Sequence, residues 1–321
     1  MRDRAAKYAM TQAPPPSTPL RFGTRQSPLA LAQANEAKAR LCEAHGWPDE
    51  AVELVPVIST GDRIQDRPLA EIGGKALWTR ELDRWLIDGR IDAAVHSMKD
   101  VETIRPEALA IGALLPRAER TDRLLGAASI DAIPHGAIVG TSAPRRAAQI
   151  LHRRGDLTVV PIRGNVATRM AKLAAGEVQA TFLASAGLIR LGRDEVGTTL
   201  PAEQWLPAPA QGAIGLECRA DDAATRDLLK AIDNAETRAE VETERSCLEA
   251  LGGTCHSPVA VWCRREGERM QVTLALFSED GRHRVEATSA LNPGDTRAVH
   301  EFASALLRSA PGEIRALFDP V

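Results

Sequence analysis

The sequence contains no apolar run approaching the roughly 18 consecutive residues that a membrane-spanning helix needs, and its first twenty residues lack the apolar centre of a signal peptide. It also lacks an excess of positive charge, because 40 basic and 43 acidic residues give a net charge of −3. Such a balance disfavours binding to a phosphate backbone. The sequence therefore predicts a soluble, cytoplasmic protein that binds neither membranes nor nucleic acids.

Cysteines are few and odd in number: Cys42, Cys218, Cys247, Cys255 and Cys263. In a chain without an export signal, this count argues against a disulfide framework. The last three lie eight residues apart beside His256, but the short C-x-x-C pairs common in structural zinc sites are absent. We therefore expect free thiols and no metal.

Residues 1–19 contain three basic residues and the prolines from Pro14 to Pro16, with little apolar surface to bury. This composition predicts a disordered N-terminal extension outside the fold. An organelle transit peptide is the alternative, against which Asp3 and the lack of a long amphipathic stretch count.

From Leu20 onwards, short apolar runs alternate with segments of helical spacing, which indicates α/β units around a mainly parallel sheet. Ser27 followed by Pro28 predicts the N-cap and first residue of a helix. Arg25 and Asp100 fall at the carboxyl ends of predicted strands, where ligands of such sheets usually bind. The predicted strands are 20–24, 52–59, 91–96, 137–139, 157–162 and 180–184, and the predicted helices are 28–44, 77–87, 144–154 and 166–175.

Two strand-to-helix junctions are alike, since residues 23–28 and 140–145 both combine Gly, Thr, Ser, Pro and Arg. Two related α/β lobes facing a cleft would explain the likeness, and so would the ordinary residue preferences of such turns. After Leu206 the pattern changes. A predicted helix at 236–251 precedes strands at 259–263, 271–277 and 285–290, which indicates a small antiparallel sheet with helices beside it.

Several arginines lie in loops or at helix starts, where free backbone N–H groups and the helix dipole favour an anion. Guanidinium groups add bidentate binding of carboxylates or phosphates. The alternative for each member is a solvated surface arginine. The set predicts an anion-binding cleft and comprises Arg25, Arg145, Arg146, Arg163, Arg169 and Arg190.

Lys99 and Asp100 follow a predicted strand and would therefore lie inside such a cleft. The functional hypothesis is that the Asp100 carboxylate stabilises a cationic intermediate, which is the reverse of an oxyanion hole. The alternative is an ordinary Lys–Asp pair on the surface.

Cys255 lies in a glycine-containing turn between a helix and a strand, where a sulfur is accessible. One alternative is an inert small hydrophobic residue. Another is the nucleophile of a thiol hydrolase with His256, although neighbours in sequence seldom point at one another.

Four motifs, taken in their order and spacing, resemble the porphobilinogen deaminase family. Each motif alone is weak, but the series extends the resemblance from about Leu20 to the C-terminus. The motifs are Thr-Arg-Gln-Ser-Pro-Leu-Ala-Leu at 24–31, His-Ser-Met-Lys-Asp-Val at 96–101, Arg-Gly-Asn-Val with Thr-Arg at 163–169, and Gln-Gly-Ala at 211–213.

The resemblance implies two lobes like those of periplasmic binding proteins and a small α+β domain with a three-stranded antiparallel sheet. The implied boundaries are 20–115 with 213–231 for domain 1, 119–207 for domain 2 and 235–321 for domain 3. It also implies a monomeric hydroxymethylbilane synthase for tetrapyrrole biosynthesis. Such an enzyme condenses four porphobilinogen molecules head to tail, with loss of ammonia, on a covalent dipyrromethane primer, and releases hydroxymethylbilane.

The resemblance also implies residue roles. Asp100 matches the catalytic aspartate that stabilises the azafulvenium cation left by ammonia loss, and Cys255 matches the cysteine that holds the dipyrromethane by a thioether. Lys75 and Trp78 would belong to a lid. The cofactor carboxylates would be bound by Lys99, Ser142, Arg145 and Arg146, and the substrate by Arg25, Ser27, Arg163, Arg169 and Arg190.

Three positions depart from the family pattern without removing a charged participant. Thr254 precedes Cys255 where a glycine is familiar, Ala143-Pro144 replaces a Ser-Leu pair, and Pro209-Ala210 replaces Val-Gly. A non-catalytic, two-lobed carboxylate-binding protein is the alternative function. A dipyrromethane on Cys255 would discriminate the two.

Overall fold

The computed structural model describes residues 13–58 and 79–319, which form three β-sheets with flanking helices. The strands are β1 Leu20–Arg25, β2 Val52–Val57, β3 Ala93–Ser97, β4 Leu109–Leu114, β5 Asp122–Leu125, β6 Ile138–Gly140, β7 Thr158–Val160, β8 Ala180–Ala184, β9 Thr198–Leu200, β10 Ile214–Arg219, β11 Val259–Glu266, β12 Arg269–Phe277 and β13 Arg284–Leu291. The helices are α1 Pro28–His45, α2 Arg80–Ile87, α3 Pro144–Arg153, α4 Val166–Ala174, α5 Ser185–Arg190, α6 Ala223–Leu229, α7 Ala235–Ala250, α8 Thr296–Ser309 and α9 Gly312–Arg315.

The first sheet has the strand order β2-β1-β3-β10-β4. Strand β1 pairs in parallel with β2 and β3, whereas β10 pairs antiparallel with β3 and β4. The predicted mainly parallel sheet is therefore wrong in part, and the sheet is mixed. The physical reason is that β10 enters this sheet only after the chain has built the second one, so it is not joined to β3 by a βαβ crossover.

The second sheet has the order β7-β6-β8-β5-β9 and repeats the pairing pattern of the first. Strand β6 is parallel to β7 and β8, and β5 is antiparallel to β8 and β9. In each sheet, a single strand makes both antiparallel pairings, and it is the first strand after the chain crosses from the other sheet. This strand is β10 in the first sheet and β5 in the second. The predicted pair of related α/β lobes is confirmed by this common topology.

The likeness of the two strand-to-helix junctions has a packing cause. A Cβ atom on Gly23 would lie 2.3 Å from Ile91 Cδ1, and one on Gly140 would lie 2.8 Å from Ile162 Cγ2. In each lobe an isoleucine side chain packs against this strand, β1 or β6, near its carboxyl end, so a residue without a side chain is needed there. After the first junction, the Ser27 hydroxyl caps α1 by accepting a hydrogen bond from the Ala30 N–H at 3.2 Å, as predicted.

The third sheet is antiparallel with the order β11-β12-β13, which confirms the predicted small α+β module. Helices α7 and α8 pack against it around a buried apolar core. The three sheets form the structural basis for the three implied domains, whose exact boundaries stay a prediction.

The predicted disordered extension, residues 1–19, falls largely outside the described residues. Ala13 is described, and its carbonyl accepts a hydrogen bond from Trp47 Nε1 at 2.7 Å. The predicted lid residues Lys75 and Trp78 also lie outside the described residues. In the part of the chain that is described, no helix combines the length and the apolar character needed to cross a membrane.

Candidate active site

Asp100 lies at the end of a single helical turn, Met98–Asp100, that directly follows β3. Two buried residues fix the position of the turn, its first residue Met98 and the following Val101, and the Met98 N–H donates to the Ala213 carbonyl at 3.1 Å. Asp100 lines a pocket in the first lobe together with Arg25. The turn thus anchors its apolar residues in the core and leaves the carboxylate at the pocket wall.

Lys99 interacts electrostatically with charged groups of both lobes. Burial lowers its pKa to about 8. The Asp100 and Asp122 charges act against that shift, whereas the Arg146 and Arg145 charges reinforce it. Asp100 belongs to the first lobe and the other three groups to the second, so Lys99 lies within electrostatic reach of charged groups of both lobes.

Arg169, on α4 of the second lobe, also lies within electrostatic reach of Asp100. Burial lowers the pKa of Arg169 to about 10, Arg146 contributes in the same direction, and Asp100 opposes the shift. The Arg169 Nε donates to the Gly164 carbonyl at 3.0 Å, which orients the side chain. The structure therefore brings Asp100, Lys99, Arg146 and Arg169 into one region.

Cys255 is exposed, while the other four cysteines are buried. Its turn is held by two local hydrogen bonds, from the Thr254 N–H to Ser257 Oγ at 3.0 Å and from the His256 N–H to Thr254 Oγ1 at 3.1 Å. Protein surrounds enough of the sulfur that burial raises its pKa to about 11, and the charges of Asp100 and Glu102 add to the rise. The exposed thiol of domain 3 thus lies within electrostatic reach of Asp100.

Asp122 is fully buried and organises the start of α3. Its carboxylate accepts hydrogen bonds from Arg145 Nη2 at 2.8 Å and from Arg146 Nη2 at 2.7 Å. The Trp205 indole N–H donates to it at 2.8 Å and Gln211 Nε2 at 2.9 Å. The two guanidinium groups hold the pKa of Asp122 well below its usual range, against the effect of burial.

The predicted arginine set therefore divides in a way that the sequence does not reveal. Arg145 and Arg146 are buried and share the Asp122 carboxylate. Arg190 lies where α5 meets α1, and its Nε donates to Glu36 at 3.2 Å. Its Nη2 donates to the Gly212 carbonyl at 3.1 Å, which links the second lobe to the chain that returns to the first.

The other predicted site residues have local roles in the structure. The Ser142 hydroxyl donates to the Ile162 carbonyl at 2.7 Å, and Ser27 caps α1. Arg163 is half-buried in the loop before α4. Among the departures from the family pattern, Ala143 precedes Pro144 at the start of α3.

Ala210 shows the structural effect of a second departure. It is buried with a φ of 59°, a left-handed conformation that favours glycine. The Ala210 N–H donates to Glu244 Oε2 at 2.7 Å, so a contact from α7 holds this strained residue in place.

One group of possible metal ligands, Asp83, His96 and Glu217, has its ligand atoms within 4.8 Å of one another among the described residues. Arg105 already occupies this group, since its Nη2 contacts Asp83 at 2.5 Å and Glu217 at 2.7 Å. The cluster is thus a buried ion-pair network around a guanidinium.

Comparisons with known proteins agree with this geometry. A family model described as porphobilinogen deaminase, dipyrromethane cofactor binding domain, matches residues 20–227. A porphobilinogen deaminase of Sphingopyxis alaskensis is 53% identical over 315 residues, covering 96% of this chain and 99% of the relative. The chain belongs to the porphobilinogen deaminase family. A second porphobilinogen deaminase, from Paracoccus denitrificans, is 46% identical over 308 residues, covering 95% of this chain and 98% of its own length.

A solved structure, the VFT2 domain of BvgS from Bordetella pertussis, is 16% identical with a TM-score of 0.40, covering 71% of this chain and 91% of that one. Membership of the porphobilinogen deaminase family makes the chain an enzyme of tetrapyrrole biosynthesis with a dipyrromethane cofactor.

The residues present fit that cofactor. A thioether requires an accessible sulfur, and Cys255 is exposed while the other cysteines are buried. Carboxylates require donors, and Arg145 Nε is a buried donor without a hydrogen-bond partner among the described residues. The chemistry of the site therefore suits an acidic group attached to a thiol.

Sequence reasoning missed Asp122, Arg245 and the structural role of Gln211. Adjacent arginines at a buried helix start require a carboxylate, so the pair at 145–146 is a signal for a residue such as Asp122. Gln211 belongs to a recognised motif, but its contact with Asp122 joins residues 89 positions apart and leaves no pattern in the sequence.

Proposed function

We propose that this chain is a hydroxymethylbilane synthase that joins four porphobilinogen molecules head to tail, loses ammonia at each step and releases hydroxymethylbilane. The observation that carries the proposal is the exposure of the Cys255 thiol, the one accessible thiol among five, at a position where the Asp100 charge helps to raise its pKa. It supports an attachment point and a carboxylate within one active site. Membership of the deaminase family supports the same reaction.

The proposed cofactor residues come from all three sheets. Cys255 would hold the dipyrromethane, and Lys99, Ser142, Arg145 and Arg146 would bind its carboxylates. The cofactor supplies the free pyrrole carbon to which the first substrate is joined. Arg145 and Arg146 are well suited to hold anions, because Asp122 fixes their orientation and neutralises only one of their two charges.

Asp100 would stabilise the positive charge that develops on the substrate when ammonia leaves. A carboxylate fixed at a pocket wall needs no reorganisation at that moment, which makes its stabilisation effective. Its turn is rigid for this purpose, since buried side chains flank it. The neighbouring cations Lys99 and Arg169 would bind substrate carboxylates.

The proposed substrate residues are the cations near or around this pocket. Arg25 lines the pocket that contains Asp100, and Arg169 lies within electrostatic reach of Asp100. Arg190 contacts Glu36 and would have to exchange that partner for a substrate carboxylate. The set proposed for substrate binding is Arg25, Ser27, Arg163, Arg169 and Arg190.

Several expectations stay predictions. They are the lid of Lys75 and Trp78, the domain boundaries, the monomeric state and the cytoplasmic location. Light scattering on the purified protein tests the monomer, and cell fractionation tests the location.

Turnover of Asp100→Asn tests the proposed mechanism. We expect a loss on the order of 10²-fold or more in porphobilinogen consumption and ammonia release, the scale for deleting one electrostatic stabiliser. Glu107→Gln is the matched control, because it removes one exposed carboxylate from the same part of the first lobe. Wild-type protein that binds porphobilinogen without releasing ammonia would instead be a carboxylate-binding protein. Near-normal turnover of Asp100→Asn would reject the role of Asp100.

A further inference from the structure

Arg245 is a buried arginine of α7 whose side chain contacts the backbone immediately after Asp100. Its Nη1 donates to the Val101 carbonyl at 3.0 Å, and its Nη2 donates to the carbonyls of Glu102 at 2.5 Å and Thr103 at 3.2 Å. Three successive carbonyls of the segment that follows the Asp100 turn thus share a single guanidinium. The contact joins the helix of domain 3 to the segment that carries Asp100.

The Arg245 contact is unusual because it places a buried positive charge against backbone carbonyls. Burial lowers its pKa to about 10, and the Arg105 charge adds to the shift, so the group still carries its charge at neutral pH. Its hydrogen bonds in the described structure go to carbonyls. A buried cation held by carbonyl dipoles is costly unless the geometry is well defined, and the carbonyls would lose their partner without it.

The same helix also leads to Cys255. Helix α7 ends at Ala250, and Cys255 follows five residues later. One turn before Arg245, Val241 packs in an apolar cluster with Met98, the first residue of the Asp100 turn, and Val101, the residue after it. Helix α7 therefore contacts the Asp100 segment with an apolar and a polar side chain and carries the attachment turn at its end.

We propose that Arg245 is a positioning residue that fixes Asp100 relative to the cofactor sulfur of Cys255. This inference rests on the proposed function and adds a residue to which the sequence motifs assign no role. Arg245 acts through the backbone at 101–103. A displacement of about 1 Å in a catalytic group costs up to roughly 10²-fold in rate. The loss should therefore fall on kcat more than on KM.

The test compares Arg245→Met with Arg238→Met. Arg238 is a matched control because it lies on the same helix and contacts domain 1, donating to the Gly112 carbonyl at 3.4 Å. We expect Arg245→Met to lower kcat by roughly 10- to 100-fold with KM within about twofold, while intact mass shows normal cofactor attachment. Arg238→Met should retain kcat, and Arg245→Lys should recover part of the loss.

A second measurement does not depend on catalysis. In protein made without a porphobilinogen supply, iodoacetamide labels Cys255, and Asp100→Asn should speed labelling because Asp100 raises the pKa of the thiol. If Arg245 positions Asp100, the effect of Asp100→Asn should shrink in the Arg245→Met background and remain in the Arg238→Met background.

The outcomes separate this inference from the proposed function. Suppose that wild type is inactive, that Asp100→Asn still speeds the labelling of Cys255, and that this effect disappears in the Arg245→Met background. These results would reject the proposed function and retain the positioning role of Arg245. An unchanged kcat together with an unchanged labelling effect would overturn the positioning role. If Arg245→Met does not fold, Arg245→Lys carries the same two measurements, since lysine cannot reach all three carbonyls with a planar fork.

Discussion

Replacing Asp122 by Asn should destabilise the second lobe far more than replacing an ordinary carboxylate. Asp122 is fully buried and accepts hydrogen bonds from two guanidinium groups that are themselves buried. Asparagine keeps the size but removes the negative charge that is bonded to both groups. Removing one partner of a buried ion pair costs about 3–5 kcal/mol, and we expect a loss of that order in the free energy of unfolding.

The assay is urea unfolding followed by tryptophan fluorescence, because the Trp205 indole donates to Asp122 and reports on its surroundings. Asp156→Asn is the control, since it breaks a partly exposed pair with Arg154 in the same lobe. The control should change the unfolding midpoint little. A midpoint of Asp122→Asn equal to that of the control would refute the reasoning.

The pH dependence gives a second check on the same variant. The pKa of Asp122 in the folded protein lies below the ordinary value of 3.8. Below that ordinary value the unfolded chain binds the proton first, so the contribution of Asp122 to stability is present above about pH 3.8 and declines as pH falls further. The stability difference between wild type and Asp122→Asn should therefore narrow below pH 4, and a constant difference would contradict the ion-pair account.

Two further predictions concern backbone strain and lysine titration. Ala210→Gly should stabilise the protein by about 0.5–1 kcal/mol, because Ala210 has a φ of 59° and glycine adopts it without a Cβ penalty; a loss of stability in urea unfolding would show that the alanine is not strained. The folded pKa of Lys99 is about 8 against the ordinary 10.5, so the unfolded chain binds more protons between these values and the stability of cofactor-free wild type should rise with pH relative to Lys99→Met. If the stability difference between wild type and Lys99→Met stayed constant from pH 8 to pH 10.5, the lowered pKa of Lys99 would be contradicted.

The sequence predicts local structure well where one helix or strand contains its own signal. Ser27 and Pro28 mark the start of α1, and the alternating segments of domain 3 predict β11 to β13 to within a few residues. Strands β4, β5, β9 and β10 escape prediction, because their pairing partners lie far away in sequence. The strand β10, for example, completes a sheet that begins almost 200 residues earlier.

The same limit applies to the site. Asp100 and Cys255 can be named from motifs, since each follows a strand or turn with a characteristic local sequence. Their common neighbourhood, the sharing of Asp122 by Arg145 and Arg146, and the contact of Arg245 with residues 101–103 depend on three-dimensional packing. A buried charge requires a partner on physical grounds, but only the fold identifies that partner.

Intact mass spectrometry of the purified protein tests the central claim most directly, namely that the thiol of Cys255 holds the dipyrromethane. The account predicts a mass above that of the bare polypeptide by one dipyrromethane. This increment should disappear in Cys255→Ser and persist in Cys42→Ala, which alters a buried thiol. A wild-type mass equal to that of the polypeptide, or an increment that survives in Cys255→Ser, would contradict the account.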